Sequence, residues 1–199
     1  IMLHEPGRLD EHYAVPGWKI TKTGLPQLPH LPMRNPASMF YKADQVLYAE
    51  PPLHFYAEAL CFLLLPDTIG TARVPSLLSG AGILILLSIL TSAWTGNRRA
   101  GLWAAAMFSL SRWFIYGVTL TRADILCAFW GLAALHAAWK WTQSRKIQWL
   151  IGTGTLIGLG GLTHPFAIIY AVQIGLLVVL ESRGWQRLGN FALVTAMPS

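Results

Sequence analysis

The chain has 199 residues, of which 54% are hydrophobic and 12% charged, about half the charged share of a soluble domain; a water-soluble globule is excluded and a membrane-embedded protein expected. Its net charge of +6 comes from lysines and arginines scattered through short segments between apolar runs, without the continuous basic stripe that a nucleic-acid partner requires. Cys61 and Cys127 both lie in apolar stretches, where a thiol packs as a small hydrophobe, so neither a disulfide framework nor a cysteine metal cluster is expected.

Ile1-Met2-Leu3 reads as the outer end of an upstream span, no signal peptide is recognisable, and the chain is expected to be part of a longer protein. Residues 4–52 are rich in proline and short of apolar runs, yet carry aromatics that can anchor a loop at a membrane surface. Within this loop, Asp10 to Trp18 is predicted as a short interfacial helix ending at Pro16-Gly17, because proline removes a backbone donor. A second helix, Leu53 to Leu65, follows Pro51-Pro52, which suits a first turn. Its 13 residues are too few to cross a bilayer core comfortably.

Charge spacing sets the remaining elements. Residues 74–97, 125–139 and 147–180 contain no Asp, Glu, Lys or Arg. A bilayer core about 30 Å thick needs roughly 20 apolar residues at about 1.5 Å rise each. The last run, at 34 residues, is too long for one span and right for two short ones, with a bend at Thr163-His164-Pro165. Residues 101–121 form another span, interrupted only by Arg112, and residues 188–199 begin one more. The expected fold is therefore an all-α membrane protein: an extracytoplasmic loop with interfacial helices over 1–73, then a multi-span bundle over 74–199 with five spans and a stub. Gly152, Gly154, Gly158, Gly160 and Gly161 read as helix-packing positions.

Basic residues in short loops mark the cytoplasmic side. Alternate connections hold Arg98 and Arg99, then Lys140, Arg145 and Lys146, then Arg183 and Arg187. The opposite side then carries residues 1–73, Arg122-Ala123-Asp124 and Thr163-His164-Pro165. Nearly every polar residue outside the basic loops thus shares one face of the membrane.

Each of these residues supports two readings. Asp10-Glu11 is a solvated pair or helix cap, or a carboxylate whose partial desolvation makes it a better base. Arg122 and Asp124 form either a helix-joining turn with a cap, or a guanidinium oriented by an acid to hold a phosphate. Arg73, at the mouth of its span, either anchors or binds phosphate; Arg112, near mid-span, fits a buried structural pair better than a phosphate contact. His164 either satisfies backbone freed at the kink or donates to a substrate.

Five runs occur in a telling order: Asp10-Glu11-His12-Tyr13-Ala14, Glu50-Pro51-Pro52-Leu53-His54-Phe55-Tyr56, Ala72-Arg73-Val74-Pro75-Ser76, Arg122-Ala123-Asp124-Ile125-Leu126 and Leu162-Thr163-His164-Pro165. Together they resemble the N-terminal half of the GT-C integral membrane glycosyltransferases, in the branch holding dolichyl-phosphate-mannose protein mannosyltransferases and lipid A aminoarabinose transferases. The resemblance spans nearly the whole chain. It implies transfer of a sugar from a polyprenyl-phosphate carrier to a lipid or protein acceptor, at the extracytoplasmic side of a bacterial plasma membrane. It also implies an inverting displacement with Asp10 as base and Glu11 assisting, and a substrate site drawing on Arg122 first, then Arg73, His164, Tyr13, Glu50 and Asp124. The lipid-linked sugar is a substrate, and neither a cofactor nor a metal is indicated.

Two departures stand out. Many relatives place lysine where Glu50 precedes the proline pair, and many carry Lys-Gly-Pro after the threonine where this chain has His164-Pro165. Two rivals from other classes are a transporter whose path is lined by Arg112 and the outer loops, and a noncatalytic membrane scaffold. The first predicts inverted repeats and helices broken at mid-membrane, and neither is evident here.

Overall fold

The computed structural model describes residues 8–182 and 186–195, with the side chains of residues 8–11 outside that description. The upstream-span reading of Ile1-Met2-Leu3, the inner-side reading of Arg183 and the end of the final stub fall outside the described residues. Among the described residues the only regular structure is helical: α1 (Arg8–Thr23), α2 (Leu53–Leu64), α3 (Ile69–Ala72), α4 (Val74–Thr95), α5 (Arg98–Ser109), α6 (Arg112–Thr119), α7 (Ala123–Ser144), α8 (Ile147–Gly161), α9 (Ala167–Glu181) and α10 (Gln186–Thr195). The chain divides into two compact units, Ile1–Gly80 with Arg112–Leu126, and Ala81–Ser111 with Cys127–Ser199.

In the first unit α1 does not stop at Pro16-Gly17 as expected. It continues through Pro16 to Thr23 and ends at Gly24, whose φ of 78° and N–H bond to the Ile20 carbonyl (2.9 Å) make the left-handed cap that glycine accepts without strain. Tertiary packing overrides the proline. Gly17 is buried against α2, and a Cβ there would meet the Glu58 carboxylate and come within 2.6 Å of the Glu58 Cβ. A side chain at position 17 would push the two helices apart.

The proline-rich loop after α1 folds around its own small core, in which Leu28, Ala43 and Leu47 pack on Phe55 of α2. Reciprocal backbone bonds hold it, Leu28 N–H to the Ala43 carbonyl (2.8 Å) and Leu47 N–H to the Pro26 carbonyl (2.8 Å). Arg34 adds a two-pronged bond to Asp44 (2.7 and 2.8 Å). α2 matches its expected span to one residue. Its buried face carries His54, Phe55, Glu58 and Ala59, while Leu60, Leu63 and Leu64 are exposed.

Beyond α2, Thr68 caps α3 by accepting from the Thr71 N–H. α3 and α4 together run Ile69–Thr95, 27 residues, long and apolar enough to cross a membrane. Where one span was expected over 101–121, the chain breaks at Leu110-Ser111 into α5 and α6, closed by tight turn bonds to Met107 and Phe108 carbonyls. Arg112 consequently heads α6 and is exposed, where a buried mid-span pairing was expected. A charged side chain reaches water more cheaply from a helix start than from mid-helix, which accounts for the break. α6 and α7 meet at 113° across Leu120-Thr121-Arg122 and count as a second candidate span if the bent pair is taken together. By length and composition, the described helices thus supply one or two candidate spans in place of the expected five.

In the second unit α7, α8, α9 and α10 surround a core of Ala134, Ala138, Trp141, Leu150, Ile157, Ile174, Val178 and Val194. The bend expected at Thr163-His164-Pro165 is present between α8 and α9. Gly160 packs against Ala167 at the bend, whereas Gly152 faces open space and has no packing role.

The close approach at Gly17 yields a prediction. Gly17→Val overpacks the α1–α2 contact and is expected to destabilise the purified protein by about 1–3 kcal/mol, read as a lower melting temperature in detergent; an unchanged melting temperature would show that the contact is dispensable.

Candidate functional site

Tertiary structure in the first unit gathers residues that lie far apart in sequence. Asp10 and Glu11 stand in the first turns of α1, and helical periodicity places positions 10, 13, 14, 17 and 21 on one face. That face is the one turned to α2, because Gly17 abuts Glu58 and the Tyr13 ring lies edge-on to His54 at 5.8 Å. Asp10 therefore belongs by register to the α2-facing side of the helix.

Around Tyr13 sits a ring of charged groups. His12 Nε2 meets Glu50 Oε1 at 3.2 Å, which ties the start of α1 to the residue before the proline pair. Burial pushes the Tyr13 phenol up to about 12, the Glu50 and Asp124 charges and a hydrogen bond to Glu50 add to the rise, and Arg122 opposes it. The phenol is consequently neutral across the working range and can donate a hydrogen bond. The same interactions show that Tyr13, Glu50, Arg122 and Asp124 share one electrostatic neighbourhood.

Arg122 lies in the bend between α6 and α7. Its Nε bonds both Asp124 oxygens (2.9 and 3.1 Å) and its Nη2 bonds Oδ2 (2.7 Å), so the carboxylate grips one edge of the guanidinium. These bonds raise the guanidinium pKa further and keep it a fixed cation. The Tyr116 ring lies beside it at 5.6 Å. Nη1 makes no hydrogen bond to any described residue, and the side chain remains about a quarter exposed at 27%. One edge is held and the other presented. Asp124 also accepts from the Ile125 N–H at the start of α7, so capping and orienting, offered by the sequence as alternatives, are both observed.

Arg73 closes α3 and is buried, 2% exposed. His164 belongs to the second unit, where its Nδ1 accepts from the Phe166 N–H (3.2 Å) and Thr163 bonds back to the Leu159 carbonyl (2.7 Å). This is the role of satisfying backbone at a kink. Among the described residues no three His, Cys, Asp or Glu side chains converge as a metal site would require.

Sequence reasoning missed a fully buried pair on α2. His54 Nε2 and Glu58 Oε1 stand 3.1 Å apart with both side chains at 0% exposure, a close contact that falls short of a well-directed hydrogen bond. Burial pushes the His54 pKa down to about 4, against smaller opposing effects of Glu50 and Asp124, so the ring is neutral. The signal was the spacing of four between a histidine and a glutamate in an otherwise apolar helix. Ser76 and Tyr116, both touching Arg122, were also missed. Ser76 stood in the quoted Arg-Val-Pro-Ser run, whereas nothing in the sequence marked Tyr116.

The His54 shift predicts a pH dependence. The folded value lies below the unfolded value of about 6.5, so between the two the unfolded chain binds more protons. Stability falls as pH drops from about 6.5 to about 4, and His54→Gln is expected to flatten that limb in melting temperatures recorded from pH 8 downward. An acid limb unchanged in the variant would assign it to other groups.

Residues 49–197 match the family described as dolichyl-phosphate-mannose-protein mannosyltransferase. The match includes Glu50, Arg73, Arg122, Asp124 and His164, and lies downstream of Asp10, Glu11 and Tyr13. Neither the curated proteins nor the solved structures give a match to the chain.

Proposed function

The chain belongs to the dolichyl-phosphate-mannose-protein mannosyltransferase family of integral membrane glycosyltransferases, and from that premise we propose that it moves a sugar from a polyprenyl-phosphate donor to a hydroxyl of a lipid or protein acceptor at the extracytoplasmic face of a bacterial plasma membrane. In this reading residues 1–73 lie outside the membrane and residues 74–199 form its multi-span part.

The observation that carries the proposal is the grouping of Tyr13, Glu50, Arg122 and Asp124 around the helix whose first turns hold Asp10 and Glu11. A single displacement needs a base on the acceptor side and a cation on the leaving-group side. Asp10 takes the proton of the acceptor hydroxyl as that oxygen bonds to the anomeric carbon, with Glu11 assisting. The bond between the anomeric carbon and the lipid-phosphate oxygen breaks, and the phosphate departs with the electron pair, so the configuration inverts. Arg122 stabilises the charge that grows on the phosphate through its presented Nη1 edge, and because this charge is larger in the transition state than in the donor, the contact accelerates the step. Arg73 is a secondary candidate for that charge, and Glu50 and Tyr13 contact substrate hydroxyls. The activated sugar is itself the donor, so the reading assigns no cofactor. The exposed leucines of α2 offer the polyprenyl tail an apolar surface.

Two variants separate the roles. Asp10→Asn is expected to abolish transfer of labelled sugar from a polyprenyl-phosphate donor in membranes while donor binding and expression persist; retained turnover rules out the assigned base. Arg122→Ala is expected to weaken binding of the unsugared polyprenyl phosphate by about 10-fold or more, the size of a lost charge-assisted hydrogen bond.

A further inference from the structure

Arg122 stands at a 113° bend, at the residue before α7, so its backbone N–H has no helical partner. One side chain bonds both the N–H and the carbonyl of this residue. The Arg122 N–H donates to Ser76 Oγ at 3.1 Å, and Ser76 Oγ donates to the Arg122 carbonyl at 3.3 Å. Ser76 is fully buried, at 0% exposure, in the first turn of α4, three residues beyond Arg73. A hydroxyl has one donor and two acceptor sites, so this pairing uses the side chain's donor on a single residue.

We propose that Ser76 is a positioning residue for the anion-binding guanidinium of Arg122, an inference that rests on the reading of Arg122 as the donor-phosphate contact. Ser76 holds the backbone of residue 122 at two points and thereby sets the direction in which its side chain leaves. Asp124 and Tyr116 then fix the far end, the first by three hydrogen bonds and the second from the ring face. The guanidinium is constrained at root and tip, so little rotamer freedom remains to be lost when a phosphate arrives. A mobile arginine at the same place loses that freedom on binding and binds more weakly.

The test is a double-mutant cycle on binding of polyprenyl monophosphate, the carrier without sugar, to the purified protein in nanodiscs. Ser76→Ala nearly conserves volume, so its effect should come from the hydroxyl alone. It is expected to weaken carrier binding about fivefold, one net hydrogen bond, and to have no further effect in the Arg122→Ala background, because Ser76 acts only through Arg122. Ser76→Thr, which keeps the hydroxyl, should bind as the parent does. Should Ser76→Ala fail to assemble, Ser76→Cys keeps the size with a weak donor and is expected to show the same coupling. Parent-like binding by Ser76→Ala, or an equal loss with and without Arg122, overturns the positioning role. Parent-like binding by Arg122→Ala sinks the phosphate assignment itself and this inference with it, an outcome distinct from the first two.

Discussion

A backbone N–H or C=O freed by a break in a helix must find a partner inside the protein wherever hydrocarbon replaces water. Several breaks among the described helices follow that constraint. At the bend before α7, Ser76 accepts from the orphaned N–H of Arg122 and also donates to its carbonyl. At the bend between α8 and α9, Thr163 and His164 take theirs locally. Thr68 and Asn97 cap α3 and α5 by accepting backbone N–H groups through their side chains. At these four places a hydroxyl, amide or imidazole is at hand. Two of them carry residues singled out for chemistry, because the groups that repair a bend are also groups that can hold a ligand.

The first unit shows a second consequence of burial. Removing polar groups from water is costly unless they are paired, and paired groups in a low dielectric interact strongly. The α1–α2 contact concentrates such groups: Tyr13 beside His54, His54 against Glu58, Glu58 against the backbone of Gly17, and His12 reaching Glu50. Packing of this kind fixes the register of α1, and with it the position of the acidic pair in its first turns. The family match begins at residue 49, downstream of that pair.

Much of this was legible beforehand. The helix over 53–65 was read from its apolar run and preceding prolines, and α2 occupies Leu53–Leu64. The bend at Thr163-His164-Pro165 followed from a run too long for one span, and the Arg122–Asp124 pairing from a turn holding both charges. The failures have a common form. Pro16 was expected to end α1, yet the helix passes through it because the Gly17 contact with α2 outweighs one lost hydrogen bond. The stretch over 101–121 looked like one span, yet it divides ahead of Arg112. His54 and Glu58 passed unnoticed in an apolar helix because only the fold shows that they are buried against each other.

Local and one-dimensional properties were decided by the order of residues: helical class, membrane residence, the bend at Thr163-His164-Pro165 and the family. These depend on hydropathy, proline chemistry and charge spacing, which act over a few neighbours. What only the tertiary structure decided was which distant residues meet. Ser76 and Arg122 are 46 positions apart, and His12 and Glu50 are 38 apart. No short-range rule links such residues. Their contact is set by how elements distant in sequence pack, as α1 and α2 do where Gly17 meets Glu58.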